Sequence, residues 1–270
     1  MPYFSNQNAR IRHFFDPELN IILMKPTHKA LLNWSGGKDS ALTLYKLQQS
    51  QTYEITCLLT SISQKYQRIS MHGVRVALLE AQAERIGIPL VKMEIPDMPS
   101  MEVYEETMRE TLLGLKNEGV TSSIFGDIFL EDLRTYRENK LAELDLKGVF
   151  PLWNQPTDRI IREFLDLGFK TITTCVNEKY LDKSFVGRVI DEDFLKDLPS
   201  NVDPCGENGE FHTFVYDGPI YNKPIEFEKG EIVLRKYEAP KTKDDSDQCF
   251  SKEKEDPTQY GFWYCDLISI

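Results

Sequence analysis

Short apolar runs of β type alternate with stretches of helical spacing through the first two-thirds of the chain. Ala30–Trp34 reads as a buried strand, and Ser40–Gln49 as a helix with Ala41, Leu42, Leu44 and Leu47 turned inward. Ile55–Ile62 is a second strand, and Val74–Ile86 a helix ended by Gly87, with Pro89 just beyond. Leu90–Ile95 (strand), Met101–Glu118 (helix), Ser122–Gly126 (strand) and Glu131–Leu144 (helix, rich in i,i+4 charge pairs) continue the alternation. Val149–Leu152 is short and extended, Asp158–Leu167 is a helix closed by Gly168, and Lys170–Val176 is a threonine-rich strand.

Alternation of this kind predicts an α/β fold with a parallel sheet covered on both faces by helices. Right-handed crossovers then place ligand sites at the carboxyl ends of the strands, where residues 35–40 and Gly126-Asp127 both fall. The pattern changes near residue 200. A turn-dense loop, Asp203–Glu210, precedes short strands predicted at Thr213–Val215, Ile225–Phe227 and Ile232–Arg235. Lys241–Pro257 is a charged excursion, and the apolar Phe262–Ile270 a closing strand. The expected division is an N-terminal extension over 1–28, an α/β domain over 29–200, and a loop with a small β region over 201–270. Residues 1–23 differ in composition from the rest of the chain and read either as a peripheral extension or as a docked arm.

At 270 residues, with 41% hydrophobic and 28% charged residues, the chain can bury a sizeable core. No apolar run is long enough for a membrane span. The balance of 32 basic and 43 acidic residues, −11 in all, repels phosphate backbones and weighs against a nucleic acid partner. Five scattered cysteines, Cys57, Cys175, Cys205, Cys249 and Cys265, contain no CxxC pair and fit reduced thiols in a cytoplasm.

The chemistry centres on Ser35-Gly36-Gly37-Lys38-Asp39-Ser40, between a strand and a helix. Two glycines let the backbone approach an anion, amides at a helix start point toward it, and Ser35, Ser40 and Lys38 add donors and charge. Asp39 is placed to accept from the loop or to help hold Mg²⁺ on a triphosphate. The loop is neither a Walker A sequence nor GxGxxG. Asp127, after the fourth strand, suits a metal or ribose contact, and equally a helix cap. Glu207 and Glu210, in a glycine-rich loop, suit binding of an ammonium or amine or a general base, against the plain reading of solvated loop acids.

SGGKDS resembles the PP-loop of the N-type ATP pyrophosphatases. The chain from about Lys29 to Phe227 is similar to the diphthine–ammonia ligase family. The further landmarks are His72-Gly73-Val74-Arg75, Ile86-Gly87-Ile88-Pro89, Gly126-Asp127-Ile128, Tyr136-Arg137-Glu138, Pro151-Leu152-Trp153 and Gly206–Thr213. The resemblance implies a HUP-like domain. It also implies adenylation of a carboxylate by ATP with release of pyrophosphate, then displacement of AMP by ammonia. It adds His72 and Arg137 to the nucleotide contacts of Ser35–Ser40, and places Asn208, Gly209, His212 and Thr213 at the acceptor. The catalytic residues so implied are Lys38, Asp39, Asp127, Glu207 and Glu210.

Asn208 and His212 stand where the family motif carries Gly and Glu, so ATP use carries over and the acceptor stays open. The partners expected are ATP, ammonia and a carboxylate-bearing acceptor, either a small molecule or a modified protein residue. Self-association into a homodimer is left open. Two rivals arise from the same loop: sulfur transfer through Cys175 or Cys205, and a regulatory module that binds ATP without turnover.

Overall fold

The computed structural model describes residues 28–69, 72–97, 99–237 and 260–270. The expectations for residues 1–23 and 241–257 lie outside these. β1 (His28–Asn33) is the central strand, and its Ala30, Leu31 and Leu32 are wholly buried. Burial on both faces is what a parallel sheet covered by helices demands. α1 (Lys38–Ser50) leads to β2 (Tyr53–Ser63), which pairs parallel with β1. The two-residue β3 (Arg68–Ile69) turns back on β2, and α2 (Val76–Ile86) ends at Gly87 in the left-handed conformation expected of a C-cap. β4 (Leu90–Ile95) lies on the other edge of β2.

After α3 (Met101–Asn117) the chain crosses to the opposite side of β1. β5 (Ser122–Ile124) pairs there, and β6 (Lys147–Val149), beyond α4 (Glu131–Ala142), pairs with β5. The parallel order is therefore β4-β2-β1-β5-β6, and the direction of winding reverses between β1 and β5. That reversal opens a crevice at the carboxyl ends of these two strands.

Alternating residues of β1 feed two cores. Ala30 and Leu32 pack with Leu42, Leu44, Leu78 and Leu79 from α1 and α2. Leu31 packs with Leu112, Leu115 and Leu141 from α3 and α4. The first core continues without a break into a second sheet through Ile172, Val176, Phe211 and Phe214.

That sheet is antiparallel, in the order β8 (Phe211–Asp217), β7 (Lys170–Asn177), β10 (Tyr260–Ser269), β9 (Phe227–Tyr237). β7 follows α5 (Thr157–Asp166), and the alternation places it in the parallel sheet. It instead pairs with β8 and β10, antiparallel. Its buried threonines bond to carbonyls of neighbouring segments: Thr171 to Phe214 and Thr173 to Phe185. The strand expected at 232–235 is part of one long β9, paired along its length with β10, whereas only Phe227 of the strand expected at 225–227 belongs to it. β5 stops at Ile124, which frees Phe125–Asp127 to turn into the crevice. Among the described residues, no helix is long and apolar enough to cross a membrane.

Candidate functional site

β1 delivers the chain into the crevice at Asn33, and α1 opens at Lys38. Gly36 adopts φ +74°, and a Cβ there would lie 2.7 Å from the Gln82 Oε1, so only glycine closes the turn without strain. The buried Gln82 accepts the Trp34 indole N–H at 2.8 Å and donates to the carbonyls of Gly36 at 3.0 Å and Val215 at 2.7 Å. Val215 N–H donates to the Gly36 carbonyl, and Lys38 N–H to Thr213 Oγ1 at 3.1 Å. β8 of the second sheet thus buttresses the loop directly. Ser40 Oγ donates to the Gly37 carbonyl, with Ser35 Oγ 3.3 Å from Ser40 Oγ. From the other side, Gly126 comes so close that a Cβ would sit 3.0 Å from the carbonyl carbon of Asp39.

Charge is concentrated here. Lys38, 4% exposed, donates to Asp39 Oδ2 at 2.7 Å. Burial works against the Lys38 charge, but Asp39 above all, with Cys205 and Glu207, holds the ammonium above its ordinary pKa. Burial raises Asp39 against the opposing pull of Lys38. Lys38 therefore keeps its proton, and Asp39 is the partner more easily neutralised. Asp127 accepts from Arg137, whose guanidinium also lies 4.4 Å from the centre of the Phe125 ring. Burial raises Asp127 as well, opposed by Arg137. Glu207 Oε1 accepts the Ile128 N–H at 2.8 Å, and burial, then the Asp39 charge, lifts its carboxyl to about 7.

Asp39 Oδ1 is buried without a partner. Among the described residues, no group of three or more His, Cys, Asp or Glu side chains could by itself hold a metal ion. Mg²⁺ on a nucleotide uses one or two carboxylates plus phosphate oxygens, and the Asp39 oxygen fits that need.

The structure brings Ser35–Ser40, Asp127 and Glu207 together around the crevice, with Arg137 reaching in through Asp127. Glu210 turns inward instead. It is 1% exposed and accepts from the N–H groups of Asp203 and Asn208 and from Asn208 Nδ2. It fixes the shape of the 203–210 loop, in which Asn208 is exposed and Gly209 has φ +82°. Thr213 Oγ1 accepts the Lys38 N–H at the head of α1. His212 and His72 stack on each other with centroids 4.3 Å apart.

Pattern reading missed Gln82 and Asp203. Gln82 occupies a core-facing position of α2 beside Leu78 and Leu79, and a polar residue within an apolar stripe was the signal. Asp203 receives the N–H groups of Cys205 and Glu207 and the Thr157 hydroxyl, tying the loop to α5. Its signal was its place at the head of a Pro-Cys-Gly turn. Cys175 and Cys205 are buried, and burial pushes the Cys175 thiol up to about 12 and Cys205 well above its ordinary value. At both positions burial disfavours the thiolate that sulfur transfer requires.

A glycine loop at the switch point of a doubly wound sheet, with a buried lysine and converging carboxylates, defines a phosphate-handling α/β enzyme. The chain matches the family models of the diphthamide synthase N-terminal domain over residues 28–148 and the diphthamide synthase C-terminal domain over residues 156–240. It is 26% identical over 192 residues to the diphthine–ammonia ligase of Homo sapiens, covering 66% of this chain and 70% of that protein. With the diphthine–ammonia ligase of Mus musculus the identity is 26% over 237 residues, covering 76% of this chain and 85% of that protein. The chain belongs to the diphthine–ammonia ligase family and is an ATP-dependent ligase.

Proposed function

We infer that this chain uses Mg²⁺–ATP to adenylate a carboxylate acceptor with release of pyrophosphate, and that ammonia then displaces AMP to leave an amide. One observation supports the reading: the Ser35–Ser40 loop lies at the switch point with a charged, buried Lys38 inside it, and the acid-bearing 203–210 loop is tied to Ile128, next to Asp127, through Glu207. Diphthine is the acceptor in the names of the relatives. It is the acceptor to try first here.

In this reading the loop amides and Lys38 hold the β- and γ-phosphates, so charge developing on the departing pyrophosphate falls beside a preorganised cation. Mg²⁺ would be held by Asp39 Oδ1 and phosphate oxygens and would supply further neutralisation. Arg137, oriented by Asp127, reaches a phosphate oxygen. Glu207, with a carboxyl near 7, takes the proton that an entering ammonium must lose. Glu210 keeps the loop in shape, and Asn208, Gly209, His212 and Thr213 form the wall facing the acceptor. The protein works mainly by positioning.

The test is to incubate the protein with Mg²⁺–ATP, ammonium and a diphthine-bearing protein, and to identify the nucleotide products. AMP plus pyrophosphate, lost in Asp39→Ala, is the expected result. ADP plus phosphate would place cleavage at the γ-phosphate and overturn the mechanism.

A further inference from the structure

β1 ends between two neighbouring strands, and its last residue meets them differently. On the β2 side the backbone ladder continues to the end of the strand. Asn33 is in register with Leu59, and Trp34 N–H donates to the Leu59 carbonyl at 2.7 Å. On the β5 side the register stops at the pair Leu32–Ile124. Beyond it the strands part, because Phe125 N–H turns away from β1 and donates to the Val149 carbonyl of β6 at 2.9 Å.

The Asn33 side chain fills this gap. Its Nδ2 donates to the Ile124 carbonyl at 2.9 Å and to Ser123 Oγ at 2.8 Å. Both amide hydrogens are used, and one of them faces a carbonyl that can only accept, so the group cannot flip. Ser123 is buried and is the register partner of Leu31, which lies on the same face of β1 as Asn33. The side chain thus supplies a bond between β1 and β5 where the backbone no longer makes one.

The consequence lies just beyond, at the crevice. Gly126 packs on the start of α1, where a Cβ would lie 3.0 Å from the Asp39 carbonyl carbon and 3.1 Å from the Ser40 nitrogen. The end of β5 is therefore drawn in at Ile124 and stopped at Gly126. Both contacts are made with the segments that flank the Ser35–Ser40 loop. Asp127, the partner of Arg137, follows next, and then Ile128, whose N–H binds Glu207.

We propose that Asn33 is a positioning residue for the reaction: its side-chain amide sets the distance across the crevice between the Ser35–Ser40 loop and the Asp127, Arg137 and Glu207 groups. In this role it touches no reacting atom. The proposal rests on the amide-forming reading above and adds to it the residue that keeps the two sides of the crevice in register. Without the amide, Phe125–Ile128 keeps its bonds to Val149, Asn154 and Glu207 but loses its tie to β1. The Ser35–Ser40 loop keeps its own supports, Gln82 and Thr213. The grip on ATP should then survive while the groups across the crevice are misplaced, and a shift of ~1 Å costs on the order of 100-fold in rate.

Three variants separate positioning from stability. Asn33→Ala removes the tie. Asn33→Asp keeps the side chain's volume and turns an acceptor toward the Ile124 carbonyl. Ser123→Ala removes the other acceptor of the same amide and leaves the bond to Ile124. Nucleotide products are followed with Mg²⁺–ATP, ammonium and a diphthine-bearing protein, at a temperature where thermal unfolding shows each variant to be folded. Both Asn33 variants should lower kcat by more than ~10-fold with the KM for ATP within about two-fold of wild type, and Ser123→Ala should keep kcat within about two-fold. Equal falls in kcat at Asn33 and Ser123, or a KM for ATP that rises as far as kcat falls, overturns the proposal.

The second measurement needs no turnover. Amide hydrogen exchange of the unliganded proteins, read by mass spectrometry, should be faster over residues 122–130 in the Asn33 variants alone, with residues 35–41 unchanged. Unchanged exchange over 122–130, or faster exchange throughout the chain, overturns the proposal. If the wild-type protein yields ADP instead of AMP, the amide-forming reading fails, and the exchange experiment still decides whether Asn33 sets the crevice.

Discussion

Replacing Glu207 by Gln removes a buried charge while keeping the side chain's shape and its acceptance of the Ile128 N–H. Burial, then the Asp39 charge, raises this carboxyl from 4.5 to about 7. The gap corresponds to ~3 kcal/mol, at ~1.4 kcal/mol for each tenfold change in proton affinity. The sign is set by which state binds the proton more tightly. Folding raises this acid, so the native protein holds the proton better than the unfolded chain. Above pH 7 the group is ionised in both states, and the folded protein carries the whole cost of burying the charge. As pH falls from 7 toward 4.5 the native carboxyl protonates first and the cost fades.

Glu207→Gln is therefore expected to be more stable than wild type by ~3 kcal/mol at pH 8 and by less than ~1 kcal/mol at pH 5. Urea unfolding of both proteins at the two pH values measures the difference. Equal gains at both values, or a loss at pH 8, would refute the reasoning. With Glu207 as the base, AMP formation by wild type should rise as pH passes through 7, and the same substitution should abolish that rise.

Gln82→Leu removes the partner of the Trp34 indole and one donor to each of the Gly36 and Val215 carbonyls. It should cost ~3 kcal/mol in urea unfolding and weaken nucleotide binding, measurable by titration calorimetry. Gly126→Ala thrusts a methyl against the backbone of Asp39 and Ser40, which cannot swing aside as a side chain can. AMP formation should fall by more than ~10-fold for a stability loss of only ~1–2 kcal/mol, because the displaced groups belong to the phosphate loop. The double substitution Cys175→Ser, Cys205→Ser should leave the rate of AMP formation intact, and loss of turnover with an unchanged fold would revive sulfur transfer. Arg137→Gln leaves Asp127 buried without its guanidinium and should cost ~3 kcal/mol, read by thermal unfolding at pH 8.

The sequence by itself determined most elements of the parallel sheet and the loop after its central strand, but it did not show the short β3 and it placed β6 (Lys147–Val149) at Val149–Leu152. β4 was legible residue for residue, and α1, α2, α3 and α5 to within about two residues at each end, because hydrophobic period and Gly or Pro punctuation are local signals. SGGKDS was legible for the same reason: its glycines and its strand–helix setting are neighbours along the chain. Only the tertiary structure decided which sheet β7 joins, since its partners β8 and β10 lie some 40 and 90 residues away and an apolar strand reads the same in either place. It decided the division of labour between Glu207 and Glu210, three residues apart in one loop. One is lifted to about 7 at the edge of the crevice and the other turns inward to bind its own loop. It also decided that Gln82 ties the Ser35–Ser40 loop to the second sheet and that His72 meets His212. Burial and electrostatic coupling depend on distance in space, and periodicity along the chain carries no record of which segments the fold brings face to face.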